Sequence, residues 1–410
     1  MILNYIWIGF LIIAIVVAFV TTFVSGNGEV LDAVMSSMFV SAKQGFEISL
    51  GLTGVLALWL GIMKIGERGG ATGFISRITA PFFCKIFPEI PKNHPALGSM
   101  FMNFAVNFLG IDNAATPLGL KATKELQELN TEKSRPSKAM MMFLVLNTAG
   151  ITLIPMTVIT YQAQFGAKNP TDIFIPTLLA TTIGFLSALI IVAICEKINI
   201  LHKNVIITLI VLIVVLSSLI WAFSSMNSKQ MQFYSMLITN TLIFGIIILF
   251  IFAGIRKKIN LYDAFIEGAK DGFKVAVGII PFLIAILVSV GMFRASGAMD
   301  YLLFGLEKFF ASVGINTDFV GAIPTALMKP LSGSGARGLM FDAMQTYGVD
   351  SFVSKVACTI QGSTDTTFYI LALYFGSVGI TKTGKALLYG LFADLVGIVA
   401  AISLAYVFFH

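Results

Sequence analysis

The sequence predicts an all-α polytopic membrane protein made of inverted repeats. Each repeat is predicted to contain an interfacial helix, a re-entrant hairpin, a broken transmembrane helix and a transmembrane helix. Three observations lead to this fold class. The 410 residues are 57% hydrophobic and only 12% charged, about half the charge of an average soluble protein. Long runs without charge recur along the chain, and polar residues interrupt several of them at bilayer depth, where such groups usually mark a pathway.

Nine runs are long enough to cross a bilayer, which takes about 20 apolar residues. They are Ile2–Val24, Glu47–Met63, Ala139–Gln164, Ile173–Cys195, Asn204–Phe223, Gln230–Ile255, Val275–Phe293, Val356–Gly379 and Ala386–Phe409. The first is interpreted as a transmembrane helix rather than a signal peptide, because no basic segment precedes it.

Two further apolar segments are predicted to be re-entrant hairpins. Arms of about fifteen residues reach only about 22 Å, short of a hydrocarbon core of about 30 Å. The first hairpin has arms Pro95–Leu109 and Ala115–Leu129 around the tip 110–117, and the second has arms Asp318–Leu331 and Arg337–Gly348 around the tip 332–336. An amphipathic segment precedes each hairpin, Gly70–Ile90 and Met299–Val313, and both suit helices at the membrane interface.

The chain also repeats its own pattern. The segment from Ala42 to Gly51 matches the segment from Ala269 to Gly278 at a separation of 227 residues, and Gly184 matches Gly397 at a separation of 213. Five predicted crossings separate the starts of the two copies. Because five is odd, the copies have opposite orientations, as in many transporters. The predicted domains are residues 1–200 and 201–410.

Basic residues predict the orientation. With the N-terminus inside and the C-terminus outside, most of the 27 Lys and Arg residues lie in cytoplasmic loops, as the positive-inside rule requires. The net charge of +6 therefore follows from membrane insertion, and no nucleic-acid partner is expected.

No enzyme activity or metal site is expected. The three cysteines and three histidines are scattered, without the spacing of a metal or catalytic motif. An intramembrane enzyme using Asp112 and Asp365 would lack any surrounding catalytic motif. No cofactor is expected, apart from Na⁺ or H⁺ as a coupling ion.

The two hairpin tips and the two broken spans are predicted to converge on a transport site. The ends of half-helices bring unpaired N–H and C=O groups to the midplane, where they can bind a solute or an ion. The substrate-binding candidates are Asn113, Thr116, Asn147, Thr148, Ser332, Ser334, Arg337, Gln361, Ser363 and Thr364. The ion-coupling candidates are Asp112, Thr152, Asp365 and Thr366.

Structural roles for these residues remain open. Serine and threonine hydroxyls in membrane helices often only bond to the backbone. Asp365 could form an ion pair with Lys329 or Arg337, and Asp112 could cap a helix. For Asp394, a proton relay and a buried hydrogen-bonded acid are both compatible with the sequence.

Four phrases carry a resemblance to a known family. GIDNAATPLGLKA (110–122) and LNTAG (146–150) resemble spore maturation protein A, whereas KPLSGSGARG (329–338) and QGSTDTTFY (361–369) resemble spore maturation protein B. The chain thus resembles a fusion of the two over nearly its whole length. Both belong to the nucleoside recognition, or Gate, domain family, in which many members carry Glu at the position of Asp365. This resemblance implies a Gate domain in each predicted half and a place in the bacterial inner membrane.

The element order is also similar to that of the concentrative nucleoside transporters. This likeness implies an elevator-like arrangement, with a mobile domain of hairpins and broken spans and a scaffold that forms a homo-oligomer. The expected function is secondary-active transport of a small polar solute, nucleoside-like or amino-acid/peptide-like. We expect coupling to H⁺ or Na⁺ and alternating access. The alternative is a non-transporting membrane scaffold or assembly factor in envelope or spore maturation.

Overall fold

The computed structural model describes residues 2–26, 28–91, 94–108, 112–152, 155–200, 202–226 and 228–410. Regular structure in these ranges is helical, without a strand. The helices are α1 (Ile2–Ser25), α2 (Glu29–Gly69), α3 (Ala71–Ile86), α4 (Pro95–Phe108), α5 (Asp112–Leu129), α6 (Lys138–Thr148), α7 (Met156–Gln164), α8 (Phe174–Cys195), α9 (Lys203–Ser224), α10 (Ser228–Arg256), α11 (Leu261–Ala295), α12 (Ala298–Ser312), α13 (Ile323–Met328), α14 (Gly333–Tyr347), α15 (Phe352–Ser363), α16 (Thr367–Ser377) and α17 (Ala386–Phe409).

The polytopic all-α membrane class is confirmed. Seven of the described helices are long and apolar enough to cross a membrane, namely α1, α2, α8, α9, α10, α11 and α17. Large apolar side chains such as Val214 of α9 and Phe244 of α10 are exposed, as lipid-facing side chains would be. The other two predicted spans are each divided into two helices. The first is divided between Thr148 and Met156, and the second between Ser363 and Thr367.

Two spanning helices extend well beyond their predicted bounds. The predicted Glu47–Met63 lies within α2, and the predicted Val275–Phe293 lies within α11. Charged residues end an apolar run, but they do not end a helix when they can be paired or solvated. Glu267 of α11 bonds to Arg68 of α2 and lies 3.4 Å from Lys64. At 1.5 Å per residue, α2 is about 60 Å long, so it extends outside the hydrocarbon core.

Both predicted hairpins form as helix pairs, with altered bounds. In the first, α5 begins at Asp112, so the predicted tip from 112 to 117 is helical, consistent with the high helix propensity of Ala114 and Ala115. In the second, α13 is only six residues long and follows a 3₁₀ turn, Val320–Ala322. Pro324 stands at its start, and Pro330 follows its end, where proline disfavours continuation of the helix.

The order of elements from α2 to α8 recurs from α11 to α17. In both copies a left-handed glycine joins the long helix to the short amphipathic helix after it. Gly70 has φ +92° between α2 and α3, and Gly297 has φ +84° between α11 and α12. The two glycines are 227 residues apart, the separation of the matching sequence segments. The position of α3 and α12 at a membrane interface stays a prediction.

The two long helices pack by reciprocal contacts. A Cβ built on Gly272 of α11 would lie 2.6 Å from the Cα of Ala57, and one built on Gly45 of α2 would lie 3.2 Å from the Cα of Ile284. Gly45 and Gly272 are counterparts at a separation of 227, as are Ala57 and Ile284. The residues pair in opposite order along the two helices, so α2 and α11 run antiparallel.

A second counterpart pair meets in the same way. A Cβ on Gly184 of α8 would lie 3.6 Å from the Cα of Gly397 of α17, its counterpart at a separation of 213. Reciprocal contacts between equivalent residues are typical of a two-fold relation. They support the predicted internal repeat, whereas the opposite orientation of the copies in a membrane stays a prediction.

We expect Gly297→Ala to lower the free energy of unfolding by about 1–2 kcal/mol, because residues other than glycine are strained when their backbone adopts the left-handed conformation. Gly305 in α12 is the matched control, since it has ordinary helical geometry and open space around it. There alanine should be neutral or stabilising by up to about 1 kcal/mol. Thermal midpoints of the purified variants in detergent measure the difference. Equal midpoints for the two variants would contradict the assigned conformation of Gly297.

Candidate functional site

A cavity of about 270 Å³ lies where both hairpins and both broken spans meet. Each of these four elements contributes to its wall, so the predicted convergence appears in the structure. The described lining residues are Asn107, Ala115, Thr116, Asn147, Gly150, Thr152, Pro155, Met156, Thr157, Val158, Tyr161, Lys329, Gly333, Arg337, Gln361, Gly362, Thr364, Asp365, Tyr369, Ile370, Leu373 and Tyr374.

The first break and the first hairpin contribute asparagine side chains to this part of the cavity. At the end of α6, the Asn147 side chain accepts a hydrogen bond of 2.9 Å from Asn107 of α4 and donates one of 2.8 Å to the Phe143 carbonyl. Asn103, one turn before Asn107, donates to the Ala115 carbonyl and joins α4 to α5. These bonds hold the first hairpin against the first break, so both present polar groups to the cavity.

The second break is bonded to the first break and to the second hairpin. The backbone N–H of Asp365 donates to the Thr148 carbonyl at the end of α6, over 2.7 Å. The N–H of Phe368 donates to the Pro330 carbonyl after α13, over 3.1 Å. Backbone groups at helix ends have no partner within their own helix. Here the broken ends satisfy some of one another, which positions residues 364–366 at the cavity.

The second hairpin brings positive charge to the cavity. Ser332 caps α14 by accepting from the Gly335 N–H, and Arg337 follows in the second turn of this helix. The Arg337 guanidinium carbon lies 5.4 Å from the centre of the Tyr161 ring, and its Nε is buried without a hydrogen-bond partner in the described part of the chain. Lys329, at the end of α13, is only 5% exposed.

Negative charge comes from Asp365 in the linker between α15 and α16. This residue is exposed, and its Oδ1 accepts a hydrogen bond of 2.7 Å from the Thr366 N–H. The carboxylate is therefore oriented by its own loop while it remains accessible from the cavity. With Arg337 and Lys329 in the same wall, the cavity can accommodate both a negative and a positive group of a bound solute.

Seven of the predicted site residues line the cavity. They are Thr116, Asn147, Thr152, Arg337, Gln361, Thr364 and Asp365. Their roles as solute or ion ligands stay predictions. The side chains of Asp112 and Asn113 lie outside the described part of the chain.

The remaining five candidates lie beside the cavity and are not part of its lining. The hydroxyls of Thr148 and Ser363 donate to the carbonyls of Val145 and Ile360, three residues earlier in their own helices. Ser334 lies 3.2 Å from the capping hydroxyl of Ser332, and Thr366 is 3% exposed. For Thr148, Ser332 and Ser363, the structure shows the backbone role that the sequence left open.

Several lining residues were not predicted from the sequence. Asn107 lines the cavity four residues after Asn103, which is buried beside the lining, so a search for polar pairs on one helix face would have found it. Tyr161, Tyr369 and Tyr374 have no comparable signal. Tyr374 reaches the cavity because Gly119 of α5 leaves room, as a Cβ at that position would lie 2.0 Å from the Tyr374 Oη.

Comparisons with known proteins confirm the resemblance. The family model described as nucleoside recognition (Gate) matches residues 49–164 and 276–381, together more than half of the chain. Spore maturation protein A of Bacillus subtilis (strain 168) is 44% identical over 188 residues, covering 46% of this chain and 92% of that protein. Spore maturation protein B of the same organism is 47% identical over 149 residues, covering 36% of this chain and 82% of that protein. No solved structure matches the chain.

The matched regions include the hairpins and both breaks. Residues 49–164 contain α3 to α7, and residues 276–381 contain α12 to α16. The elements that form the cavity therefore lie within the matched regions. The division into domains at residue 200 stays a prediction, and it falls between α8 and α9.

Proposed function

Since the chain belongs to the nucleoside recognition (Gate) family, we propose that it is a secondary-active transporter of a small polar solute. The observation that carries this proposal is the cavity between the two hairpins and the two breaks, with Arg337, Lys329 and Asp365 in its wall. Charged groups at bilayer depth are costly and usually face a pathway. A structural protein has no evident need for two broken helices that meet at one polar cavity.

The charges favour an amino-acid or short-peptide solute over a nucleoside. A carboxylate of the solute would bind Arg337 and Lys329, and an ammonium group would bind Asp365. Charge-assisted hydrogen bonds of this kind are about twice as strong as neutral ones. The amide groups of Asn107, Asn147 and Gln361 would bind the remaining polar atoms, as they would in a nucleoside.

Transport would proceed by alternating access, coupled to H⁺ or Na⁺. In this proposal the hairpins and broken spans, α4–α7 and α13–α16, move as one unit against the long helices α2 and α11. The protein would be a homo-oligomer in the bacterial inner membrane, with its N-terminus inside and its C-terminus outside. No catalytic step and no cofactor are proposed.

A second candidate function is a non-transporting assembly factor. Its support is the name of both relatives, which are spore maturation proteins. Such a protein would bind a protein partner and need no solute in the cavity. The two functions therefore differ in whether a small solute binds the purified protein.

A thermal-shift screen of the purified protein tests the transport proposal. Amino acids, short peptides and nucleosides are added singly, with and without Na⁺ and at two pH values. A solute that binds only the folded state stabilises it by about 2.7 kcal/mol at a hundredfold excess over its Kd. We expect an amino acid or peptide to raise the thermal midpoint, and Asp365→Asn to reduce both this shift and the flux into proteoliposomes.

The screen can also contradict the proposal. Folded protein that responds to no solute, and moves none in proteoliposomes, would favour the assembly factor. A shift with nucleosides alone would keep transport and reject the amino-acid class.

A further inference from the structure

A group of buried oxygens lies behind the second break, on the side facing α17. Asp394 of α17 is 1% exposed, Thr367 of α16 is 0% exposed, and Thr364 in the linker is 6% exposed. Both carboxylate oxygens of Asp394 and the hydroxyl oxygens of both threonines are buried without a hydrogen-bond partner in the described structure. Four unpartnered oxygens in one buried place are unusual, because such groups are costly to bury.

Packing of α17 against the break brings these oxygens together. Asp394 lies between Gly390 and Gly397 on one face of the helix. A Cβ on Gly390 would lie 3.0 Å from the Thr367 hydroxyl oxygen, and one on Gly397 would lie 2.6 Å from the methyl carbon of Thr364. The two glycines thus allow both threonines to approach α17 on either side of the carboxylate.

The Thr367 and Thr364 hydroxyls and the charge of Lys329 all act on the Asp394 carboxylate. Both hydroxyls are thus within interaction range of the carboxylate, although none of these oxygens has a partner at the distance and angle of a well-formed hydrogen bond among the described residues. Carboxylate and hydroxyl oxygens that face one another in a buried place are ligands that a small hard cation prefers. Lys329 and Asp365 are the charged groups that act on Asp394, and their charges have opposite signs.

Further oxygens are close to this group. The Thr148 hydroxyl oxygen would lie 3.5 Å from a Cβ on Gly390, and the Ser363 carbonyl would lie 3.8 Å from one on Gly397. Ser363 ends α15, and the carbonyl end of a helix is its negative pole, which favours a cation. Unwound helix ends of this kind bind Na⁺ in transporters with broken helices.

From this geometry we propose that Asp394, Thr364 and Thr367 bind a dehydrated Na⁺ ion. One carboxylate supplies the charge that a monovalent ion needs. The described residues contain no group of three His, Cys, Asp or Glu side chains that could hold a metal, so a divalent ion has less support. The site shares Thr364 with the cavity wall, but its carboxylate is Asp394. The sequence assigned the ion instead to Asp112, Thr152, Asp365 and Thr366. A role in coupling rests on the proposed transport function, but binding of the ion does not.

Thermal stability of the purified protein in NaCl and in choline chloride of equal concentration tests this site, together with binding of radioactive ²²Na⁺. We expect Na⁺ to raise the thermal midpoint of the unsubstituted protein and to bind with saturation. Asp394→Asn, close in size, should abolish both signals. Thr367→Val should raise the apparent Kd for Na⁺ about tenfold, because one ligand oxygen is lost.

Thr359→Val is the matched control. Thr359 is a buried threonine of α15 whose hydroxyl donates to the Lys355 carbonyl, so its loss should leave the Na⁺-dependent shift unchanged. No Na⁺ binding by the unsubstituted protein, or full Na⁺ binding by folded Asp394→Asn, would overturn the proposal. So would a stability that depends on pH through Asp394 and not on Na⁺, since that result assigns a proton to the site.

The outcomes also separate the ion site from transport. Na⁺ binding that requires Asp394, in a protein that moves no solute, would keep the ion site and reject the transport function. Solute flux that is independent of Na⁺, with no ²²Na⁺ bound, would keep the transport function and reject the ion site.

Discussion

Replacing Arg337 by glutamine is expected to weaken binding of a carboxylate-bearing solute about a hundredfold, with little change in the thermal midpoint of the free protein. Arg337 lines the cavity, and its buried Nε has no hydrogen-bond partner in the described structure. Its Nε–H group can therefore donate a hydrogen bond to an anionic group of the solute. Removing one member of a buried, hydrogen-bonded charge pair costs about 2–5 kcal/mol, and about 2.8 kcal/mol corresponds to a hundredfold change in affinity.

Two variants make this result interpretable. Arg337→Lys keeps the charge but loses the planar donor geometry, so it should bind more weakly than the unsubstituted protein and more tightly than Arg337→Gln. Arg135→Gln is the matched control, because Arg135 pairs with Glu132 in an exposed loop, and its loss should leave solute affinity unchanged. Solute titrations by calorimetry measure all three. Unchanged affinity in Arg337→Gln would exclude Arg337 from the binding site.

Gly272→Ala is expected to destabilise the protein by about 1–3 kcal/mol, the usual cost of overpacking. A Cβ at this position would lie 2.6 Å from the Cα of Ala57 and 2.7 Å from its backbone nitrogen. Backbone atoms cannot move aside as the end of a flexible side chain can. The helices α2 and α11 would have to separate along a contact that joins the two copies of the repeat.

Gly278→Ala on the same helix is the matched control. A Cβ there meets no atom within 4 Å, so alanine should be neutral or stabilising by up to about 1 kcal/mol through its higher helix propensity. Thermal unfolding in detergent and yield of monodisperse protein compare the two variants. If Gly272→Ala were as stable as Gly278→Ala, α2 and α11 would not approach as closely as described.

Breaks and hairpins could be predicted because each has a local cause. Polar residues and glycines from 361 to 367 interrupt an apolar run, and the structure ends one helix at Ser363 and begins the next at Thr367. The hairpins could be predicted for a similar reason, since their apolar arms are too short to cross the hydrocarbon core of the bilayer. The ends of the long helices were predicted less well, because charge marks the limit of the apolar run and not that of the helix.

Lining of the cavity could be predicted only in part. Arg337, Asn147 and Asp365 were found because charges and amides are rare in apolar segments. Tyr161 and Tyr374 were missed because tyrosine is common in membrane helices and carries no local signal. Ser332 and Ser363 were assigned to the site, but their hydroxyls bond to backbone groups of their own helices. No sequence pattern distinguishes a hydroxyl that binds a solute from one that bonds to the backbone.

By itself, the sequence of this protein determined the membrane class, the positions of the breaks and hairpins, and the matching segments of the repeat. These follow from hydropathy, length and residue type, which act within a few turns of helix. Only the tertiary structure decided that Gly184 meets Gly397, that Arg337 lies over Tyr161, and that Asp394 lies behind the second break. The physical reason is that such contacts depend on how helices distant in the chain cross, and small residues and hydrogen bonds between helices set those crossings.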